Sequence, residues 1–119
     1  MYVEYLKFRV EPQLREQFVE RDREIWTAAL AAVPAFEHKE LWLNPEDPSE
    51  LVTIVYWRDR DQWKAIPQAS LAATEARFQA AMGEGSYELV EAREYRLLLD
   101  GPRESEAGLG AGSDAGPEA

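Results

Sequence analysis

The sequence contains no cysteine, so disulfides, thiolate nucleophiles and cysteine-ligated metals are excluded. Histidine occurs once, at position 38. Basic residues are few: 13 Lys and Arg stand against 23 Asp and Glu, a net charge of −10. A chain so acidic is not expected to bind nucleic acid, which needs a basic face to neutralise phosphates, or to dock on anionic lipid. No apolar run approaches the roughly 20 residues that cross a bilayer. The N-terminal MYVEYLKFRV alternates and carries charge, unlike the core of a signal peptide. The expectation is a cytoplasmic protein of one domain.

The richest apolar stretch is Glu50–Arg58, ELVTIVYWR, in which Thr53 alone interrupts Leu51–Trp57. A strand wet on one side would alternate, so this one is expected to be covered on both faces. Val3–Val10 alternates, with Leu6, Phe8 and Val10 on one face and Val3, Tyr5, Lys7 and Arg9 on the other. Pro12 suits the first position of a helix reaching about Val33 before Pro34. Leu14, Phe18, Ile25, Trp26, Ala29 and Val33 form its apolar stripe, broken at its middle by Arg21 and Asp22.

Phe36–Asn44 reads as a second strand, joined to the third by the turn cluster Asn44–Ser49. Asp59 with Gln62 opens a second helix, which Pro67 interrupts. Leu71, Thr74, Phe78 and Met82 continue one helical face, and Gly83 ends it. Tyr87–Leu99 is the fourth strand. From Asp100 to Ala119 the chain turns acidic and holds five of the seven glycines, which predicts a disordered tail.

The order β-α-β-β-α-β over residues 1–99 predicts an α+β, ferredoxin-like fold with strands one and three central. Helices then cover one sheet face. The other is expected to be covered by a second copy, as a homodimer. If Thr53 or Val55 pointed to that face, charged substitutions there would split the dimer.

These residues resemble a known group. The β-α-β-β-α-β order, Val55-Tyr56-Trp57-Arg58 and the following Asp-Arg-Asp-Gln-Trp look like the dimeric α/β-barrel proteins of the antibiotic-biosynthesis monooxygenase superfamily. Glu24–Leu30, Leu41–Pro45, Trp63–Gln68 and Arg93-Glu94-Tyr95 are similar, more narrowly, to a small cyanobacterial family within it whose role is unassigned. The resemblance implies a substrate cleft between helices and sheet in each subunit. It also argues against haem degradation. The branch that degrades haem carries an Asn on strand one, where this chain has Glu4, and a His in the second helix, where this chain has none.

Within such a cleft, Asp22 is a candidate general base, or the orienter of one, beside Trp26, its alternatives being an exposed charge at the edge of the stripe or a salt bridge to the sheet. His38, alternating with Phe36, Glu40 and Trp42, is a second candidate acid or base, too poor in neighbours for a metal site. Trp26, Trp57, Trp63, Phe78, Arg93 and Tyr95 are candidate ligand contacts, the tryptophans for a planar aromatic molecule and Arg93 with Tyr95 for an anion. No cofactor and no metal is expected. Three functions fit: a binder of a small hydrophobic molecule, placed first; a cofactor-independent oxygenase of an aromatic or carbanion-forming substrate; and a structural or regulatory dimer.

Overall fold

A computed structural model describes residues 1–102. Four strands alternate with two helical stretches: β1 (Tyr2–Val10), β2 (Phe36–Leu43), β3 (Glu50–Trp57) and β4 (Tyr87–Arg96). They form one antiparallel sheet in the order β2-β3-β1-β4. With β1 and β3 central and both helical crossovers on one side, this is the α+β ferredoxin-like arrangement.

The first helical stretch is not uniform. Pro12–Leu14 forms a 3₁₀ turn, α1 spans Arg15–Asp22, Arg23–Thr27 is a π-helical turn, and α2 spans Ala28–Ala31. The second stretch is split as Pro67 demands: α3 covers Arg60–Lys64 and α4 covers Gln68–Met82. Asp59 caps α3 by accepting the Gln62 backbone N–H at 3.0 Å. Gly83 ends α4 with φ +97°, a left-handed conformation that disfavours a side chain.

Alternation places Glu4, Leu6, Phe8 and Val10 of β1, and Leu51, Thr53, Val55 and Trp57 of β3, under the helices. Two apolar clusters result. One joins Val10, Phe18, Leu51, Phe78 and Met82; the other joins Leu30, Ala35, Val55, Trp57 and Trp63. Thr53 and Val55 therefore face the helices, and the residues of β3 on the far face are Val52, Ile54 and Tyr56. Neither Val52 nor Ile54 belongs to the two clusters. Yet they are only 6% and 3% exposed, flanked across the strands by Trp42 and Lys7 and by Glu40 and Tyr5. The exposed apolar groups of that face lie toward its edges, at Trp42 and Tyr95.

Two boundaries differ from the sequence reading by two residues or more, the others by one at most. The first helical stretch ends at Ala31, and β4 ends at Arg96. Of the tail expected to be disordered, residues 103–119 lie outside the described residues. Among the described residues no helix is long and apolar enough to cross a membrane.

Candidate functional site

Between the sheet and the helices lies a cavity of about 480 Å³, within the range of small-molecule sites. Its floor is the inner row of side chains just described: Glu4, Leu6 and Phe8 from β1, Thr53, Val55 and Trp57 from β3, and Lys39 from β2. Asp22, Trp26 and Leu30 roof it from the first helical stretch, Trp63 and Ile66 from α3 and its exit, and Leu71, Glu75 and Gln79 from α4.

The π-helical turn explains part of this roof. A π turn closes its hydrogen bonds one residue further along the chain than an α turn and so shifts the helical face that follows. Asp22 ends α1 just before it, and Trp26 sits within it; both reach the cavity. Trp26 is held there by its indole N–H, which donates to Glu75 Oε1 at 3.1 Å. Glu75 also accepts the Tyr87 hydroxyl proton. Burial and this carboxylate together raise the Tyr87 pKa well above its ordinary value. On their outer side, Trp26, Leu30, Ile66 and Leu71 line a surface groove of about 370 Å³. These four side chains are the partition between groove and cavity.

Asp22 and Lys39 form a buried ion pair. Lys39 Nζ donates to Asp22 Oδ2 at 2.7 Å and to Thr27 Oγ1 at 2.9 Å. Their side chains are only 4% and 7% exposed for Lys39 and Asp22 respectively, so each charge depends on the other. Burial raises the Asp22 pKa above its ordinary value, outweighing the attraction of Lys39. Asp22 thus forms the salt bridge to the sheet that was the alternative read for it, and it also lines the cavity beside Trp26.

Glu4 is a different carboxylate. Its one hydrogen-bond partner given by the structure is the Trp57 indole N–H, which donates to Oε1 at 3.2 Å. Burial raises its pKa, against smaller lowering effects of Trp57, Lys64 and Lys39. Trp57 stacks on Trp63 with ring centroids 5.7 Å apart and planes 3° from parallel. The Lys64 ammonium lies 4.1 Å from the centroid of the Trp63 ring. The result is a flat aromatic wall beside a carboxyl group of raised proton affinity.

The strand register places Lys39, Val55 and Glu4 side by side on β2, β3 and β1. A cation and a proton acceptor therefore flank one aliphatic side chain on the cavity floor. Lys39 and Glu75 were absent from the sequence candidates, and Glu4 entered only as a departure from another branch. The alternation of His38, Glu40 and Trp42 would have put Lys39 on the inner face.

The remaining candidates fall elsewhere. His38 lies on the outer face of the sheet, opposite to Asp22. There it contacts Glu40 Oε2 at 2.9 Å, and its ring is 5.5 Å from that of Tyr56. The register shift between Phe36 and His38 breaks the expected alternation, so Phe36 turns inward against Trp57 while His38 does not. Arg93 and Tyr95 also lie outside. Arg93 Nη1 donates to the Tyr95 hydroxyl at 3.1 Å, and Tyr95 packs edge-on to Tyr5. Phe78 is core, with its ring 5.2 Å from Phe18 and 5.0 Å from Tyr87. The cavity brings together Asp22, Trp26, Trp57 and Trp63, and leaves out His38, Phe78, Arg93 and Tyr95. Among the described residues no three His, Asp or Glu side chains converge as metal ligands.

A four-stranded ferredoxin-like sheet with a cavity beneath its helices defines the class of the protein, a small α+β domain. Within that class, the profile of the antibiotic biosynthesis monooxygenase family matches residues 1–82. The chain belongs to that family. Solved structures agree on the fold. SnoaB, a cofactor-independent oxygenase from Streptomyces nogalater, is 19% identical over 86% of this chain and 97% of its own, with a TM-score of 0.62. HapK from Hahella chejuensis is 16% identical over 87% of this chain and 99% of its own, with a TM-score of 0.67. A conserved protein from Methanosarcina mazei is 14% identical over 80% and 90%, with a TM-score of 0.59. No curated protein matches the chain.

Proposed function

We propose that the protein is a homodimeric, cofactor-independent oxygenase that acts on a planar aromatic, carbanion-forming molecule held in the cavity. The observation that carries this reading is Glu4 on the cavity floor, a carboxyl group of raised proton affinity hydrogen-bonded to Trp57, which stacks on Trp63. A base whose pKa is shifted toward neutrality is suited to take a proton from a weakly acidic carbon. Burial by apolar and aromatic walls strengthens each electrostatic contact to the anion that forms. A plain hydrophobic binder would have no use for such a group.

In the proposed reaction Glu4 accepts a proton from an activated methylene, leaving a carbanion conjugated with the ring system. The carbanion passes one electron to dioxygen, and the resulting radical pair joins through a new C–O bond as a peroxide, which takes up a proton. Loss of the second methylene proton breaks the O–O bond and releases water. The balance is one CH₂ and one O₂ to one C=O and one H₂O, with all electrons supplied by the substrate. The fold shared with SnoaB is consistent with this chemistry. Asp22, locked to Lys39, serves in this reading as a holder of that lysine.

The second copy is proposed to cover the outer face of the sheet, where Trp42 and Tyr95 are each 48% exposed. The narrower kinship with the cyanobacterial family, carried by Glu24–Leu30, Leu41–Pro45, Trp63–Gln68 and Arg93-Glu94-Tyr95, belongs to this proposal too.

The test is oxygen uptake with anthrone, a planar ketone with an acidified methylene. Wild-type protein is expected to consume one O₂ per ketone formed, above the protein-free rate, and Glu4→Gln to lose at least about tenfold of the excess. Uptake equal to the blank, with anthrone bound, would make the protein a binder. Equal uptake by wild type and Glu4→Gln would remove Glu4 from the chemistry.

A further inference from the structure

Lys39 has hydrogen-bonding capacity that the described residues do not use. An ammonium carries three N–H donors, and Asp22 and Thr27 take one each. The lysine forms part of the cavity wall. Thr53 faces the same space, is 3% exposed, and its Oγ1 has no hydrogen-bond partner among the described residues. Buried hydroxyls almost always find a partner. Lys39 pairs with Val55 and Leu41 with Thr53, so Lys39 and Thr53 are diagonal neighbours on one sheet face. Two spare donors, one of them cationic, therefore sit together at the β2–β3 side of the floor.

We infer that Lys39 and Thr53 form an oxyanion site, and that the ligand of this cavity is an aromatic molecule bearing a phenol or an enolisable carbonyl, whose oxygen takes up negative charge at that site. This deepens the oxygenase reading and rests on it for the identity of the cavity as the working site. Glu4 lies across Val55 from Lys39. Two strand spacings separate the two backbones, about 10 Å. A fused-ring molecule can span that distance, with its oxygen at Lys39 and Thr53 and its acidic hydrogen toward Glu4. Asp22 and Thr27 are positioning residues: they fix the ammonium so that its remaining N–H meets the ligand. Removing a proton from the ring carbon places charge on the conjugated oxygen, where an ammonium is best placed to stabilise it.

The probe is 4-nitrophenol, whose anion absorbs in the visible, with nitrobenzene as its uncharged counterpart. Binding of both is followed by quenching of tryptophan fluorescence, and ionisation of the bound phenol by absorbance against pH. Wild-type protein is expected to bind the anion, lowering the proton affinity of the phenol about tenfold relative to free solution. In the Asp22→Asn/Lys39→Met double variant, which removes both charges together, this lowering disappears while nitrobenzene binds as before. Thr53→Val is expected to weaken binding of the anion about threefold or more and to leave nitrobenzene unchanged.

A bound phenol that ionises at the same or higher pH than the free one overturns the inference. So does a double variant that keeps the lowering, or failure of both probes to bind. If the phenol behaves as expected while anthrone consumes no oxygen, the oxyanion site stands and the oxygenase reading falls. Oxygen uptake without any change in phenol ionisation means the opposite: the oxygenase reading stands and the oxyanion site falls.

Discussion

Breaking the Asp22–Lys39 pair from one side should be among the most damaging polar changes available to this fold. The two side chains are almost wholly enclosed and meet at 2.7 Å, and Thr27 gives the lysine its second partner. Asp22→Asn leaves a buried ammonium without a counter-charge, and Lys39→Met leaves a buried carboxylate. Stranding one charge of a buried pair costs about 3–5 kcal/mol. In a domain of this size about 3 kcal/mol lowers the melting temperature by about 12 °C or more. Removing both charges replaces the pair by neutral groups of similar volume, for which the cost is expected within about 1 kcal/mol of zero. The coupling across the cycle is then about 5 kcal/mol or more, measured by urea unfolding of wild type, both single variants and the double variant. Tryptophan fluorescence reports the transition. Single variants that each lose less than about 1 kcal/mol would refute the reasoning, because they would show that water reaches the pair and screens it.

Two further predictions follow from the raised carboxylates and the outer face. Burial lifts the pKa of Glu4 above that of the unfolded chain, so the folded protein holds a proton that the unfolded chain has already released. Its contribution to stability is complete below the unfolded pKa and is lost as pH rises through the folded one. Glu4→Gln should therefore unfold at a higher denaturant concentration than wild type near neutral pH, with a difference that shrinks toward acid pH. A difference that grew on acidification would contradict this sign. Trp42→Glu and Tyr95→Glu, placed toward opposite edges of the outer face, should each shift the sedimentation of the protein from dimer to monomer. Unchanged dimer mass in both would exclude that face as the contact.

The sheet was largely legible from side-chain chemistry. The apolar run of β3, broken only by Thr53, announced a strand covered on both faces, and the alternation of β1 separated Leu6 and Phe8 from Lys7 and Arg9. The punctuation at Asn44–Ser49, Pro67 and Gly83 marked turns where the chain does turn or stop. The interruption of the helical stripe at Asp22 pointed to a polar group beneath the helices, and Asp22 is buried there. What remained hidden depends on backbone geometry that side chains do not announce. The register shift beside His38 reverses which neighbours face inward, and the π-helical turn changes the angle at which Trp26 enters the cavity. Glu75 escaped notice because a carboxylate on a helix face ordinarily reads as solvated, whereas here a tryptophan and a tyrosine both donate to it. The apolar weight of Val52 and Ile54 also overstated how bare the outer face is, since long side chains on the adjoining strands enclose them.

The widened turn at Arg23–Thr27 makes the cavity roof sensitive to a change of one codon. A π turn takes up one residue more than an α turn with little net rotation of the segments on either side, so excising one amino acid there would restore a plain helix and leave the facing of α1 nearly as it is. Asp22 would keep its lysine and the sheet its pairing. The change would fall on the turn itself, where Trp26 roofs the cavity.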